Sequence, residues 1–215
     1  MKTPLPPLLV ITDRHQARLP LPDAAARCLA GGARWLSLRE KDLTMEARLA
    51  LLARLSALGR PYDALIGYHG GRDEEELARA RNLGVGAVHL PAGTDPARLR
   101  RTMGTALVIG LSAHREADLA LAHGADYVSV SPIFPSASKP GYGPPLGLEG
   151  LSRFCRTAAM PVVALGGIHE RNAALCLEAG AAAVAVMGAV MAAPDPAAVT
   201  SRLIAGLAVS RGDAS

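Results

Sequence analysis

Two cations stand two residues apart in Trp35-Leu36-Ser37-Leu38-Arg39-Glu40-Lys41. They follow a short apolar run, and together Arg39 and Lys41 can neutralise a phosphate dianion or a carboxylate. The guanidinium offers a planar fork of donors and the ammonium a compact point charge. A second constellation is Gly110-Leu111-Ser112-Ala113-His114. An imidazole titrates near neutrality, so His114 is the candidate general acid/base. Ser112 beside it can hold a ligand or orient a water. A third is the proline- and glycine-rich connection from Pro132 to Gly147, entered through Ser131. Long connections on compact domains are commonly lids or binding loops, and Ser136, Ser138 and Lys139 can close over an anion.

A fourth constellation is made of backbone. Pro161 to Ile168 and Ala183 to Gly188 are apolar runs of strand length that stop at glycine, and helical patterning follows each. Glycine lets the chain turn sharply and lets a ligand approach its amides. A strand, a glycine and a helix start together present unpaired N–H groups and a positive dipole end, which suits phosphate.

These groups need elements to bring them together. Strands are expected at Leu8–Thr12, Trp35–Arg39, Ala64–Gly67, Ala87–Leu90, Leu107–Ser112 and Asp126–Ser131, and within the two glycine-ended runs. Helical patterning separates them: Asp23–Ala30, Thr44-capped to Leu58, a segment opened by an Asp73/Glu76 capping box, one from Asp95-Pro96, one reaching His123, one after Gly147, then Arg171–Ala179 and Pro196–Val209. Eight short Val/Leu-rich strands alternating with eight helices predict an α/β fold, a (β/α)8 TIM barrel with a core over about residues 8–209 in one domain. No G-x-G-x-x-G follows the first strand, which argues against a dinucleotide site.

In such a barrel the chemistry lies at the C-terminal strand ends. Side chains alternate along a strand, so Ser37, Arg39 and Lys41 share a face, as do Gly110, Ser112 and His114, and Ser129 and Ser131. His89 opposes Val88 and Leu90 and reads as a hydrogen-bonded core histidine. Cys176 and His169 have no partner at useful spacing and read as structural.

Composition sets the limits. Half of the 215 residues are hydrophobic, yet only two are Phe and one is Trp, so the core must be built from Ala, Leu and Val. The net charge of +4 is scattered, without a basic block, which speaks against nucleic acid as a partner. Lys2, Lys41 and Lys139 are the only lysines, and two of them fall in loops assigned to the site. Three cysteines, without C-x-x-C, offer neither a disulfide framework nor a zinc site and suit a reducing compartment. Prolines interrupt the N-terminal segment where a signal peptide needs an apolar core, and no run is long enough to span a bilayer. The expectation is a cytoplasmic protein acting on a small molecule, with assembly into a homo-oligomer left open.

The motifs also resemble a known group. Leu38-Arg39-Glu40-Lys41 is similar to the R-E-K motif of the thiamine phosphate synthase/TenI superfamily. Gly110 to His114, Gly124-Ala-Asp-Tyr-Val128, Ser131-Pro-Ile-Phe-Pro135 and Ala164-Leu-Gly-Gly-Ile168 fall in that group's order. The resemblance implies a (β/α)8 barrel, a thiazole phosphate ligand and a role in thiamine synthesis. It implies that Gly166, Gly167, Met187 and Gly188 hold the phosphate through backbone amides. Arg39 and Lys41 would hold a substrate carboxylate, and His114 would shuttle a proton.

The superfamily contains two activities. The synthase joins a pyrimidine diphosphate to thiazole phosphate and needs Mg2+ on the pyrophosphate, held by acids after the third and fourth strands. Here those strands end Gly67-Tyr68-His69-Gly70 and Leu90-Pro91-Ala92-Gly93-Thr94. Mg2+ wants carboxylate oxygen. Asp95 and Asp73 lie late and read as caps; Asp13 is a weak third possibility. The absence of those acids points to the other activity, the TenI-type thiazole tautomerase, a proton transfer with no metal or other cofactor. The alternatives are a synthase that uses Mg2+ at a rearranged site, and a non-catalytic binder of thiazole or thiamine phosphate. Some synthases also carry Ser-Ala-His, so His114 does not separate the activities.

Overall fold

The computed structural model describes residues 4–70, 73–136 and 144–212. Eight parallel strands close into a barrel in sequence order: β1 Leu8–Ile11, β2 Trp35–Leu38, β3 Leu65–Tyr68, β4 Ala87–Leu90, β5 Val108–Ala113, β6 Tyr127–Val130, β7 Val162–Leu165 and β8 Ala183–Val186. β1 pairs with both β2 and β8, so no strand edge is left open. Most strands are four residues long and buried throughout, as expected where helices cover one face and the barrel interior the other.

The α-helices are α1 Leu21–Ala30, α2 Met45–Gly59, α3 Glu74–Asn82, α4 Pro96–Met103, α5 Gly147–Thr157, α6 Ala173–Glu178, α7 Gly188–Met191 and α8 Pro196–Arg211. Short polar side chains start several of them. Thr44 accepts from the Ala47 N–H at 3.3 Å, Asp73 from Glu75 at 2.9 Å, Asp95 from Ala97 at 2.9 Å and Asp195 from Ala197 at 3.1 Å. The last two caps precede a proline, whose missing N–H costs nothing at a helix start.

Alternation separates two apolar regions. Leu36, Leu38, Val88, Leu90, Val128 and Val130 pack outward against the helices. Leu9, Trp35, Tyr127, Val163 and Ala183 fill the barrel interior. Trp35 and Tyr127 meet edge to face with ring centroids 5.1 Å apart, so two of the few aromatics plug the barrel floor. Burying one such ring contributes on the order of 3 kcal/mol.

Three expected elements differ. The segment after β5 forms a 3-10 stretch, Glu116–Leu121, rather than an α-helix. There Asp118 accepts from the His114 and Arg115 N–H groups at 2.8 and 3.0 Å, drawing the turn tight. α6 begins at Ala173 rather than Arg171, after a turn tied by Asn172. β8 is followed at once by the four-residue α7, which the apolar run had concealed.

Candidate active site

At the C-terminal ends of the strands lies a cavity of about 880 Å3. Arg39, Lys41, Ser112, His114, Ser131 and Ser136 line it, together with Gly166 and Met187. Gly167 and Gly188 lie outside this lining, and Ser138 and Lys139 lie outside the described residues. Strand alternation thus brings most of the expected side chains around one space.

The cationic corner is held from below. Glu40 is only 3 % exposed and turns away from the cavity. Its Oε1 accepts from Thr12 Oγ1 at 2.8 Å, and its carboxylate also takes the Arg14 guanidinium at 3.2 Å. Thr12 Oγ1 in turn accepts from the Arg39 N–H at 2.9 Å. Arg14 reaches on to Asp42 at 2.5 Å, which His15 also contacts at 2.9 Å. The network ties the end of β1 to the Arg39–Lys41 turn. Among the described residues, neither Arg39 nor Lys41 has an anionic partner. Burial, and then repulsion from Arg39, lowers the Lys41 pKa.

Ser112 and His114 do not form a pair. Ser112 Oγ lies 2.9 Å from His89 Nε2, and Ser129 Oγ lies 3.1 Å from the same nitrogen. Tyr127 OH meets His89 Nδ1 at 3.0 Å. This network needs Gly110: a Cβ there would run into the Tyr127 ring. His89 is 4 % exposed and fully bonded, as a core histidine should be, yet its ring also borders the cavity. Burial, and then the charges of Lys41 and Arg39, push its pKa down to about 3. His114 instead turns to the next strand, with Nδ1 2.9 Å from the Ser131 carbonyl oxygen. A carbonyl only accepts, so Nδ1 carries the proton and Nε2 is the basic nitrogen of the neutral ring.

Sequence reasoning missed four polar lining residues. His69 continues the inward face of Leu65 and Gly67, and strand alternation would have found it. Its Nδ1 lies 2.9 Å from Ser37 Oγ, and its ring centroid is 4.5 Å from that of His89. Arg48, Tyr68 and Glu76 form the opposite wall. The expected capping box is corrected: Asp73 caps α3, but the Glu76 side chain turns inward and is 4 % exposed. Glu76 Oε1 accepts from Tyr68 OH at 2.5 Å and from Arg48 Nε at 3.0 Å, and Arg48 Nη2 donates to it as well. Buried acids are rarely left to cap when a cation can reach them.

The glycines at the ends of β7 and β8 have two roles to satisfy. Gly166 and Gly167 have φ of +100° and +66°, which only glycine adopts easily. A Cβ on Gly166 would stand 2.9 Å from Pro132 Cα, and one on Gly167 would stand 2.7 Å from Phe134 Cβ. The strand-six loop therefore lies directly on them, and Phe134 N–H donates to the Gly166 carbonyl at 3.0 Å. Asn172 Nδ2 donates to the Gly167 carbonyl at 3.0 Å. Among the described residues, no acceptor meets the backbone N–H of Gly166, Gly167 or Gly188.

The donor set does not fit Mg2+. Glu76 is the one carboxylate on the described cavity wall, and it is committed to Arg48 and Tyr68. Asp73 and Asp95 cap helices, and Asp13 bonds Gln16 Nε2 at 2.6 Å. Among the described residues, no three His, Cys, Asp or Glu side chains converge as a metal site. A hard divalent cation would find cations and imidazoles where it needs several oxygen anions.

Comparison with known proteins follows this geometry. The family model described as thiamine monophosphate synthase matches residues 8–190. The thiamine-phosphate synthase of Roseiflexus sp. (strain RS-1) is 39% identical over 203 residues, covering 93% of this chain and 84% of the relative. A putative thiamine-phosphate synthase of Geobacter sulfurreducens is 39% identical over 193 residues, covering 88% of each. The solved structure of thiamine phosphate pyrophosphorylase from Pyrococcus furiosus superposes with a TM-score of 0.81 at 29% identity, over 94% of this chain and 96% of that one. These matches overturn the tautomerase expectation, because relatives aligned over nearly the whole chain carry the synthase name. The missing acids describe how a metal would be held, not which substrates meet. The cavity, its motif order and these matches lead to one conclusion: the chain belongs to the thiamine monophosphate synthase family.

Proposed function

We propose that this protein is a thiamine phosphate synthase, a transferase that joins a hydroxymethylpyrimidine diphosphate to a thiazole phosphate. The observation that carries the reading is the 39% identity to proteins of that name over about nine-tenths of the chain. The cavity supports it. Its volume of about 880 Å3 lies toward the upper end of the range for small-molecule sites, which suits two substrates.

The thiazole nitrogen lone pair forms the new C–N bond to the pyrimidine methylene carbon. The methylene C–O bond breaks, and pyrophosphate leaves with the electron pair. Charge accumulates on the leaving group, so cations fixed in place stabilise the transition state more than the ground state. Arg39 and Lys41 fill that role. The amides of Gly166, Gly167 and Gly188, with Met187 beside them, hold the thiazole phosphate. Ser131 and Ser136 border the site from the strand-six loop. His114 and Ser112 orient the reacting groups, His114 with its tautomer fixed by the Ser131 carbonyl.

The test is product formation from the two substrates, followed chromatographically, with and without added Mg2+. Wild type is expected to form thiamine phosphate and pyrophosphate. His114→Asn is expected to lower kcat/KM by about tenfold or more. Absence of product under every metal condition would sink the transferase reading.

A further inference from the structure

We propose that this protein binds the diphosphate of its substrate through fixed cations alone, without a divalent metal ion. The proposal deepens the transferase reading, on which it rests for the identity of the anion.

Three observations carry it. First, among the described residues, three acids near the cavity are engaged elsewhere. Glu76 serves Arg48 and Tyr68, Glu40 serves Thr12 and Arg14, and Asp42 serves Arg14 and His15. Second, the described ends of β3 and β4 bring His69, Gly70, Pro91 and Ala92 to the cavity wall, and none of these is a carboxylate. A Cβ on Gly70 would run into the Leu77 side chain and stand 3.3 Å from the Tyr68 ring. Thr94 Oγ1 is buried without a partner and lies off the cavity wall. Third, Arg39 and Lys41 line the cavity with no anionic partner among the described residues.

Electrostatics then decides between a metal and an anion. The described wall carries Arg39, Lys41 and Arg48 against Glu76 alone, a surplus of two positive charges before any histidine is counted. Bringing a divalent cation into that corner adds charge of the same sign and strips water from an ion that has no carboxylate to receive it. Bringing a diphosphate there relieves the mutual repulsion of Arg39 and Lys41 and gives each a charge-assisted partner. Burial, and after it the charge of Arg39, lowers the Lys41 pKa.

The decisive experiment is calorimetry with inorganic pyrophosphate, in EDTA and again in saturating Mg2+. Binding is expected in EDTA, with Kd changed by less than about threefold by Mg2+, and Lys41→Met is expected to weaken it by about tenfold or more. A thermal melt of Lys41→Met, expected to match wild type, separates lost binding from lost folding. In paramagnetic resonance, Mn2+ added with pyrophosphate should show no protein-bound fraction. Binding that requires Mg2+ or tightens about tenfold with it, wild-type affinity in Lys41→Met, or no pyrophosphate binding at all would each overturn the proposal. Turnover separates the two readings. Pyrophosphate bound in EDTA with no product from the two substrates defeats the transferase and leaves the metal-free site. Product formed only with Mg2+ does the reverse.

Discussion

His89 is bonded at both ring nitrogens while the charges of Lys41 and Arg39 stand nearby, and this makes it an acid-sensitive point of the molecule. Folding holds its pKa at about 3, against about 6.5 in the unfolded chain. Between those values the unfolded state binds the extra proton, so stability is complete above pH 6.5 and declines as pH falls toward 3. The slope from this one group is at most about 1.4 kcal/mol per pH unit. Urea unfolding of wild type across pH 4 to 7 should show that decline, and His89→Gln should flatten it while lowering stability at pH 7. At this scale the alternation of polar residues in β2, β5 and β6 foretold which side chains face inward. It did not foretell that Ser112 turns to His89 and His114 to the Ser131 carbonyl. Neighbouring strands supply those partners, and register between strands is not written in any one of them.

The wall opposite the cations depends on how α2 and α3 lean on β3. Arg48 comes from α2, Tyr68 from the end of β3 and Glu76 from the first turn of α3, and the three meet only because those elements pack together. Burial and the Glu76 carboxylate raise the Tyr68 pKa to about 12, so the phenol keeps its proton and remains a donor. Removing one member strands the other as a buried charge. Arg48→Met should cost about 3 kcal/mol in chemical denaturation, and the double variant Arg48→Met/Glu76→Gln should recover most of it. If the single and double variants are equally unstable, the pair is not what holds this wall. The sequence offered a capping box for the same glutamate, because Asp73 and Glu76 have the right spacing. Spacing along a helix says which backbone groups a side chain can reach, but not which distant cation competes for it.

Barrel closure is a property of the whole molecule. α1 and α8 come from opposite ends of the chain and meet where the last strand returns to the first. Gly31, after α1, lies so near the Ala197 backbone that a Cβ would strike the Ala197 carbonyl group. Gly31→Ala must push the two helices apart, and should lower stability by about 1–3 kcal/mol in urea unfolding. An unchanged midpoint would mean that this seam is looser than its contacts indicate.

The amino-acid sequence by itself determined the eight-fold alternation of strand and helix, and with it the barrel and the end at which the polar side chains gather. Those follow from periodicity, caps and glycine stops, which are local and readable in one dimension. Motif order, equally local, named the family. Tertiary structure alone decided which polar atoms satisfy one another, which acids are spent on buried partners, and why Gly166 and Gly167 must be bare beneath the strand-six loop. Each of these depends on distances between segments far apart in the chain, and competition among partners is settled only once packing brings them within hydrogen-bond reach.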